Sequence, residues 1–240
     1  YRRGGRVVHE PDRPLIEDLD SLPQPAWDLL PMSEYRLSAW GSRAMVHVTS
    51  RGCPYGCSFC AESHFWRRVW RAHGPERVAD DLEVLSERYG RDVIWFADDT
   101  FNLDGRRVSS IVREIRERGL DVRWGFEGRA DLVLRDRELL PEMRESGFFW
   151  ILMGVEGGSD EEISRYGKGL TLSQVEEAVA ALRRLDVIVQ LMFVVGERRD
   201  TRDSILKKAE LAVRLDPDFA IFSLSLIHIS EPTRPRLISY

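Results

Sequence analysis

Short apolar segments alternate with amphipathic helical segments from about residue 45 of this 240-residue chain onward. The apolar segments are nearly continuous in aliphatic and aromatic residues, which is typical of strands buried on both faces. Such strands, when helices connect them, form a parallel sheet covered by helices. Six strands are predicted, at Met45–Ser50, Val93–Ala97, Val122–Phe126, Phe148–Gly154, Val187–Val195 and Phe219–Ser223.

Amphipathic segments between these strands predict the helices. They lie at Pro75–Tyr89, at Asp104–Arg118, at residues 136–146, after the capping box Thr171-Leu-Ser-Gln174, and at residues 202–214. A closed barrel of eight such units needs roughly 250 residues for the barrel alone. The predicted fold is therefore α/β, a curved sheet or (β/α)6 partial barrel that is truncated near its sixth strand.

Both ends of the chain are predicted to lie outside this unit. Residues 1–44 are rich in proline and charge, which break long helices and strands, so we expect an extended linker there. Residues from about 224 to 240 resemble the translation of a sequencing-library adapter, and we expect a non-native tail that takes no part in the fold. The predicted core is therefore residues 45–223.

The composition limits the classes of function. The chain is 43% hydrophobic and 31% charged, as in an ordinary globular protein. No apolar run reaches the roughly 18 residues of a membrane span, so none is predicted. The net charge of −5 gives no broad electrostatic attraction for nucleic acid, and no nucleic-acid partner is expected.

All three cysteines lie in one run, Cys53-Pro-Tyr-Gly-Cys57-Ser-Phe-Cys60. Three thiolates can hold three irons of a cubane iron–sulfur cluster and leave the fourth iron open, which favours catalysis over electron storage. A closed zinc site is the alternative, because His64 would complete a Cys3His set. The odd number of cysteines argues against a disulfide framework.

Polar residues follow the predicted strands at the ends where parallel β/α folds gather their sites. Taken singly, each is equally consistent with a surface ion pair or a helix cap, so the prediction depends on their joint placement. The sequence predicts that they converge on one rim beside the cysteines; they are Asp98, Asp99, Glu127, Arg129, Glu156, Gln190 and Gly196.

The cysteine spacing, with Phe59 just before the last cysteine, resembles the signature of the radical S-adenosylmethionine (SAM) superfamily. The resemblance implies that Cys53, Cys57 and Cys60 ligate a 4Fe–4S cluster whose open iron binds SAM. It also implies that residues 45–223 form a partial barrel of radical SAM type. The cofactor-binding residues it implies are Phe59, Asp98, Asp99, Arg129, Glu156, Gln190 and Gly196.

Some positions depart from the family's usual motifs. Asp98 or Asp99 stands where a Gly-Gly-Glu motif is common, and Glu156 lies in a segment usually written G-x-E-S-G. Gly157 replaces the serine of that segment, so a side-chain contact is lost. Gly196 matches a fifth-strand glycine near adenine, but the segment from Gly196 to Thr201 lacks the family's proline.

The resemblance also carries expectations about the reaction. It implies reductive cleavage of SAM to methionine and a 5′-deoxyadenosyl radical, which takes hydrogen from a small-molecule substrate, with flavodoxin or ferredoxin as electron donor. Residues 13–31 are similar to the connector that follows a cobalamin-binding domain, so cobalamin is expected in a longer parent protein. Phe65-Trp-Arg67 and Trp124-Gly125 are similar to the anaerobic magnesium-protoporphyrin monomethyl ester cyclase branch.

The expected outcome is therefore methyl transfer or oxidative cyclisation, on a tetrapyrrole or another metabolite. Reduced cysteines are consistent with a cytoplasmic protein.

Overall fold

The computed structural model describes residues 2–36 and 43–225, which contain ten strands and eight α-helices. The strands are β1 (Arg2–Arg3), β2 (Arg6–Val7), β3 (Ala44–His47), β4 (Ser50–Arg51), β5 (Arg71–Ala72), β6 (Val93–Phe96), β7 (Arg123–Gly128), β8 (Phe148–Glu156), β9 (Ile188–Val195) and β10 (Phe219–Leu224). The helices are α1 (Glu62–Phe65), α2 (Pro75–Glu83), α3 (Gly105–Glu117), α4 (Ala130–Arg135), α5 (Leu140–Glu145), α6 (Asp160–Arg165), α7 (Leu172–Arg183) and α8 (Arg202–Leu215).

Six strands form one parallel sheet in the order β3-β6-β7-β8-β9-β10. Each strand of this sheet lies beside the sheet strand that precedes it in the chain, because β4 and β5 pair separately. Helices or longer connections join consecutive strands, as parallel pairing requires. Within the described residues the sheet does not close, and β3 and β10 are its edge strands. The prediction of an α/β fold with six parallel strands in an open, partial barrel is confirmed.

The two faces of the sheet differ because successive side chains of a strand point to opposite sides. One face lies under the helices and carries the buried apolar side chains Phe96, Trp124, Phe126, Ile151, Leu191 and Phe193. Burial of each large apolar side chain on this face contributes about 1.5–3 kcal/mol to stability. The opposite face, called the cavity face, carries Trp95, Glu127, Trp150, Leu152, Gln190 and Met192. The packed core therefore lies on one side of the sheet and leaves the cavity face open to ligands.

The strand predicted at Met45–Ser50 extends too far at its C-terminal end. The chain leaves the parallel sheet after His47, and Ser50–Arg51 forms a separate strand, β4. This strand pairs antiparallel with β5, where Arg51 lies opposite Arg71. The β4–β5 pair closes a loop over residues 52–70 that contains all three cysteines and is called the cysteine loop.

Two predicted helices change character in the structure. The segment predicted at Pro75–Tyr89 is α-helical only to Glu83, and Val84–Arg88 continues as a π-helix, with the Tyr89 N–H donating to the Val84 carbonyl at 3.3 Å. The segment predicted at 136–146 begins as a 3₁₀-helix, Arg137–Leu139, and is α-helical only over Leu140–Glu145. Pro141 lies in the first turn of α5, where a missing N–H has no helical partner to lose.

The capping box predicted before α7 is confirmed. The Thr171 hydroxyl accepts the Gln174 N–H, and the Gln174 side chain accepts the Thr171 N–H at 2.9 Å. Three short helices, α1, α4 and α6, were not predicted. No side chain caps α4, so its sequence carries no start signal, and α6 is six residues long, too short to show a helical period. None of the described helices is long and apolar enough to cross a membrane.

The N-terminal segment, residues 2–36, contains no helix or strand longer than three residues. Three of its apolar side chains are nevertheless buried: Leu19, Trp27 and Met32. Trp27 packs edge-on against His47 with 5.8 Å between the ring centroids, so the segment is attached to the sheet. The boundary at residue 44 stays a prediction. At the other end, Leu224 of the predicted tail pairs with Val195 in β10, and residues 226–240 lie outside the described residues.

Candidate functional site

A cavity of about 450 Å³ lies on the cavity face, at the carboxyl ends of the parallel strands. The cysteine loop forms one wall. Residues at the ends of β6, β7 and β8 form the wall that faces it, and Ser223 and Leu224 of β10 complete the rim. Because parallel β/α folds gather their active sites at this end of the sheet, this cavity is the candidate active site.

All three cysteines line this cavity as free, half-buried thiols. The Cys53 sulfur lies 3.4 Å from the hydroxyl oxygen of Thr100. Burial raises the pKa of the Cys57 thiol, although the positive charges of Lys168 and Arg129 act in the opposite direction. Metal binding requires the thiolate form, so these two cations favour the state that a metal centre would use.

The arrangement of the thiols suits a cluster better than a single ion. Among the described residues, no three His, Cys, Asp or Glu side chains are grouped to hold one metal ion. His64, the fourth ligand of the zinc alternative, is exposed on α1 and does not line the cavity. A cubane cluster spreads its cysteine ligands over different irons, so three separated thiols around one cavity fit it.

Contacts with the rest of the fold hold the cysteine loop in place. The Ser58 N–H donates to the Tyr166 carbonyl at 2.9 Å, and the Phe59 ring packs edge-on against the Tyr166 ring at 5.4 Å. On the other side, the Gly52 N–H donates to the Asp99 carboxylate at 2.8 Å. The loop is therefore fixed at both ends of the cavity before any ligand binds.

The two consecutive aspartates after β6 have different surroundings. Asp98 is 1% exposed and does not line the cavity. It accepts hydrogen bonds from the Thr49 N–H, the Thr49 hydroxyl and the Ser50 hydroxyl, each at 2.6 Å. Asp99 lines the cavity, and burial together with the charge of Glu62 raises its pKa. Asp98 therefore braces the start of the cysteine loop, and Asp99 is the one open to a ligand.

Arg129 follows β7 and is fixed by four partners. Its guanidinium lies 3.7 Å from the ring centroid of Tyr55, in the cysteine loop. It also donates two hydrogen bonds to the Asp131 carboxylate, at 3.0 and 3.1 Å, and one to the Lys168 carbonyl at 2.8 Å. Its own N–H donates to the Asn102 side chain. A planar guanidinium held in this way is a preorganised cation at the cavity wall.

Glu156 and Lys168 form a buried ion pair that also lines the cavity, with 2.7 Å between the carboxylate oxygen and the ammonium. Glu156 has φ of +70°, a left-handed conformation that costs a non-glycine residue about 1–3 kcal/mol and is found mainly at functional sites. Gly154 makes room for the pair, because a Cβ there would lie 2.0 Å from the Glu156 carboxylate and 2.4 Å from the Lys168 ammonium.

The structure brings most of the predicted site residues together. Phe59, Asp99, Arg129 and Glu156 line the cavity with the three cysteines, and so does Glu127, whereas Asp98, Gln190 and Gly196 do not. The Gly196 N–H donates to the Asp200 carboxylate at 2.7 Å. Gln190 lines a second cavity on the same face of the sheet, nearer the amino ends of the strands. Whether any of these residues contacts a cofactor stays a prediction.

Lys168 is the residue that the strand-end argument missed. It comes twelve positions after Glu156, beyond α6. A rule that considers only residues next to strand ends therefore does not select it. Its flanking residues, Gly167 and Gly169, were the available signal. A lysine between two glycines is unusual on a helical surface, and the chain there turns back toward the cavity.

The sequence also matches known proteins. The family profile of the radical SAM superfamily matches residues 47–212. An uncharacterized methyltransferase of Pyrococcus horikoshii is 35% identical over 225 residues, 94% of this chain and 48% of the relative. The anaerobic magnesium-protoporphyrin IX monomethyl ester cyclase of Rubrivivax gelatinosus is 30% identical over 220 residues, 92% of this chain and 39% of the relative. The chain thus spans less than half the length of these relatives.

Solved structures share the fold. The radical SAM methyltransferase TsrM from Kitasatospora setae, with cobalamin and a [4Fe–4S] cluster bound, superposes with a TM-score of 0.67 at 20% identity, over 76% of this chain and 37% of that one. The cobalamin-dependent radical SAM enzyme OxsB, with aqua-cobalamin and SAM bound, gives a TM-score of 0.63 at 24% identity, over 75% of this chain and 28% of that one. With the parallel sheet and its three-cysteine cavity, the match across residues 47–212 shows that this chain belongs to the radical SAM superfamily.

Proposed function

We propose that this chain is the cofactor-binding core of a radical SAM enzyme, in which Cys53, Cys57 and Cys60 hold a 4Fe–4S cluster beside SAM. The observation that carries the proposal is the arrangement around one cavity. Three free thiols from a single loop line the same cavity as a buried Glu156–Lys168 pair. When bound, the cluster would supply the electron that cleaves SAM into methionine and a 5′-deoxyadenosyl radical.

The charges around the cavity suit the methionyl end of SAM, which carries an ammonium and a carboxylate. Arg129 and Lys168 are the cations available to a carboxylate, and Asp99 and Glu156 are the carboxylates available to an ammonium. These side chains are held by the protein's own hydrogen bonds, so they need little reordering when a zwitterion binds. Phe59 and the other apolar residues that line the cavity would limit the access of water to a bound cofactor.

Anaerobic reconstitution with iron and sulfide tests this proposal. We expect about four irons and four sulfides per chain, and formation of 5′-deoxyadenosine after reduction with dithionite. Cys60→Ser should lower the iron content. Lys168→Met should keep the iron and weaken SAM binding roughly tenfold or more, because a hydrogen bond to a charged group contributes about 1.5–3 kcal/mol. A protein that holds the cluster but never cleaves SAM would contradict the proposal.

His64→Ala is the matched control for the zinc alternative. Under the cluster proposal this exposed side chain is dispensable, so iron content and SAM cleavage should equal those of the parent chain. Release of stoichiometric zinc by the same variant, without acid-labile sulfide, would instead support a Cys3His zinc site.

For the whole protein we propose methyl transfer or oxidative cyclisation of a small molecule, with cobalamin as a further cofactor. This is supported by the two sequence relatives, one named a methyltransferase and one a cyclase, and by the cobalamin in the TsrM and OxsB structures. The product of the complete gene, purified anaerobically with hydroxocobalamin, should retain cobalamin. S-adenosylhomocysteine among its products would mark methyl transfer, and a protein that retains no cobalamin would refute this part.

The proposed electron donor is a flavodoxin or ferredoxin, and the proposed location is the cytoplasm. A reducing compartment keeps the three free thiols available for a cluster. Replacement of dithionite by a reduced flavodoxin should sustain SAM cleavage by the reconstituted chain.

A further inference from the structure

A second cavity of about 370 Å³ lies on the cavity face, nearer the amino ends of the strands than the candidate active site. Glu127 and Leu152 line both cavities, so the two spaces meet at these side chains. The first cavity contains the thiols and most of the charged groups. The second is walled mainly by apolar side chains of β3, β6 and β8, with Tyr35 and Arg36 of the N-terminal segment at its edge, which points to a ligand of different chemistry.

Two tryptophans form one wall of the second cavity. Trp95 on β6 and Trp150 on β8 are separated by β7, and both register with Gly125. Because Gly125 has no side chain, the two indoles close over it, with 4.9 Å between ring centroids. A Cβ at Gly125 would lie 2.9 Å from the Trp95 ring and 2.6 Å from the Trp150 carbonyl. The result is a pair of aromatic rings, tilted by 50° to each other, that lines the cavity.

A row of side chains one pleat nearer the thiols carries two polar groups. Glu127 on β7 registers with Leu152 on β8, and Leu152 registers with Gln190 on β9. Adjacent strands are about 4.8 Å apart, so the carboxyl and the amide flank the leucine with roughly 10 Å between their backbones. Both polar side chains line the second cavity, above the aromatic wall.

These two polar groups have no hydrogen bond to any other described residue, even though Gln190 is only 7% exposed. Glu127 is half-buried, and both polar side chains line the cavity, where a ligand can supply hydrogen-bond partners. Burial raises the pKa of Glu127, and the charges of Asp99 and Asp98 raise it further. A carboxyl group accepts hydrogen bonds in either protonation state, and it can also donate one when it is protonated.

We propose that the second cavity binds the enzyme's substrate as a flat apolar ring against Trp95 and Trp150, and that Glu127 and Gln190 select rings that carry a hydroxyl or N–H group. The side chains shared by the two cavities would then place an edge of that ring next to the SAM site. The assignment of the ring as substrate rests on the proposed function, whereas the binding itself does not.

Equilibrium dialysis of the 240-residue chain without cluster or SAM tests the binding. The probes are 2-naphthol, whose hydroxyl can donate, and 2-methoxynaphthalene, which has the same ring and no donor. We expect 2-naphthol to bind about tenfold more tightly, since one hydrogen bond contributes about 0.5–1.5 kcal/mol and a tenfold change corresponds to 1.4. Glu127→Leu should remove the preference, Glu127→Gln should keep most of it, and Trp95→Leu should weaken both probes.

Glu117→Leu is the control, because Glu117 is an exposed carboxylate on α3, away from both cavities. It should bind both probes as the parent chain does. Equal binding of the two probes, no binding of either, or an unchanged preference in Glu127→Leu would overturn the inference. A naphthol preference in a chain that never cleaves SAM would refute only the proposed function. SAM cleavage without the preference would refute only the inference.

Discussion

Replacement of Lys208 by methionine should destabilise the fold far more than the loss of one surface charge. Lys208 lies on α8 and its side chain is 0% exposed. Its ammonium lies 2.6 Å from Glu162, 2.8 Å from Asp200 and 2.8 Å from the Val194 carbonyl. Through these contacts Lys208 links α8 to α6 and to the end of β9.

The size of the effect follows from what the substitution leaves behind. Methionine fills much of the space of the lysine stem, so little packing is lost. The two carboxylates, 4% and 5% exposed, stay buried without their cation. Removal of one partner from a buried ion pair costs about 3–5 kcal/mol. Against a typical total of about 5–15 kcal/mol, this loss would be a large share of the stability.

The pH dependence of the loss identifies its cause. Burial alone would raise the pKa of Asp200, but hydrogen bonds from Lys208 and Ser204 and the charge of Lys208 hold it below its usual range. In the parent chain, Asp200 therefore stabilises the fold above its unfolded pKa of about 4, and this contribution is lost as the pH falls through the lower folded value. In Lys208→Met the folded pKa rises instead. The difference in stability should be largest near pH 7 and shrink below about pH 4.

Urea denaturation followed by circular dichroism at several pH values measures this difference. Lys207→Met is the matched control, since Lys207 is the exposed neighbour on the same helix and its replacement should change stability by less than about 0.5 kcal/mol. A loss below about 1 kcal/mol for Lys208→Met, or a loss that does not depend on pH, would show that the buried charges are not balanced in the way inferred from the structure.

Three further substitutions test other parts of the fold. Gly125→Ala places a methyl group against the Trp150 carbonyl, and we expect a loss of about 1–3 kcal/mol in urea denaturation, together with a shift in tryptophan fluorescence. Asp98→Asn removes a carboxylate oxygen that accepts from Ser50, so unfolding free energy should fall by about 1–3 kcal/mol and the reconstituted chain should lose iron faster to a chelator. Trp27→Ala should cost about 3–5 kcal/mol, and a near-zero loss would show that the N-terminal segment is not attached to the core.

The sequence was a good guide wherever a local pattern carries the information. Continuous apolar strands and amphipathic helices predicted six parallel strands, and the capping box before α7 marked the start of that helix. The cysteine spacing predicted a shared metal site, and the structure places all three thiols around one cavity. The strand-end rule also placed Asp99, Arg129 and Glu156 at that cavity, because parallel strands present their carboxyl ends on the same side.

The sequence was a poor guide wherever a role depends on contacts between distant segments. Asp98 and Asp99 are neighbours in the chain, yet only the fold decides that one is bonded to Thr49 and Ser50 while the other faces the cavity. Lys168 is remote from any strand end and reaches Glu156 only because the chain turns back after α6.

By itself, then, the sequence determined the class of fold, the order of its strands and the thiols available to a metal centre, because these depend on side-chain periodicity and spacing along the chain. The tertiary structure alone decided which charges meet at the cavity. It also decided that the gap left by Gly125 brings two tryptophans together, and that Glu127 and Gln190 line the same cavity as these rings. These features depend on strand register and curvature, which are set by the packing of the whole sheet.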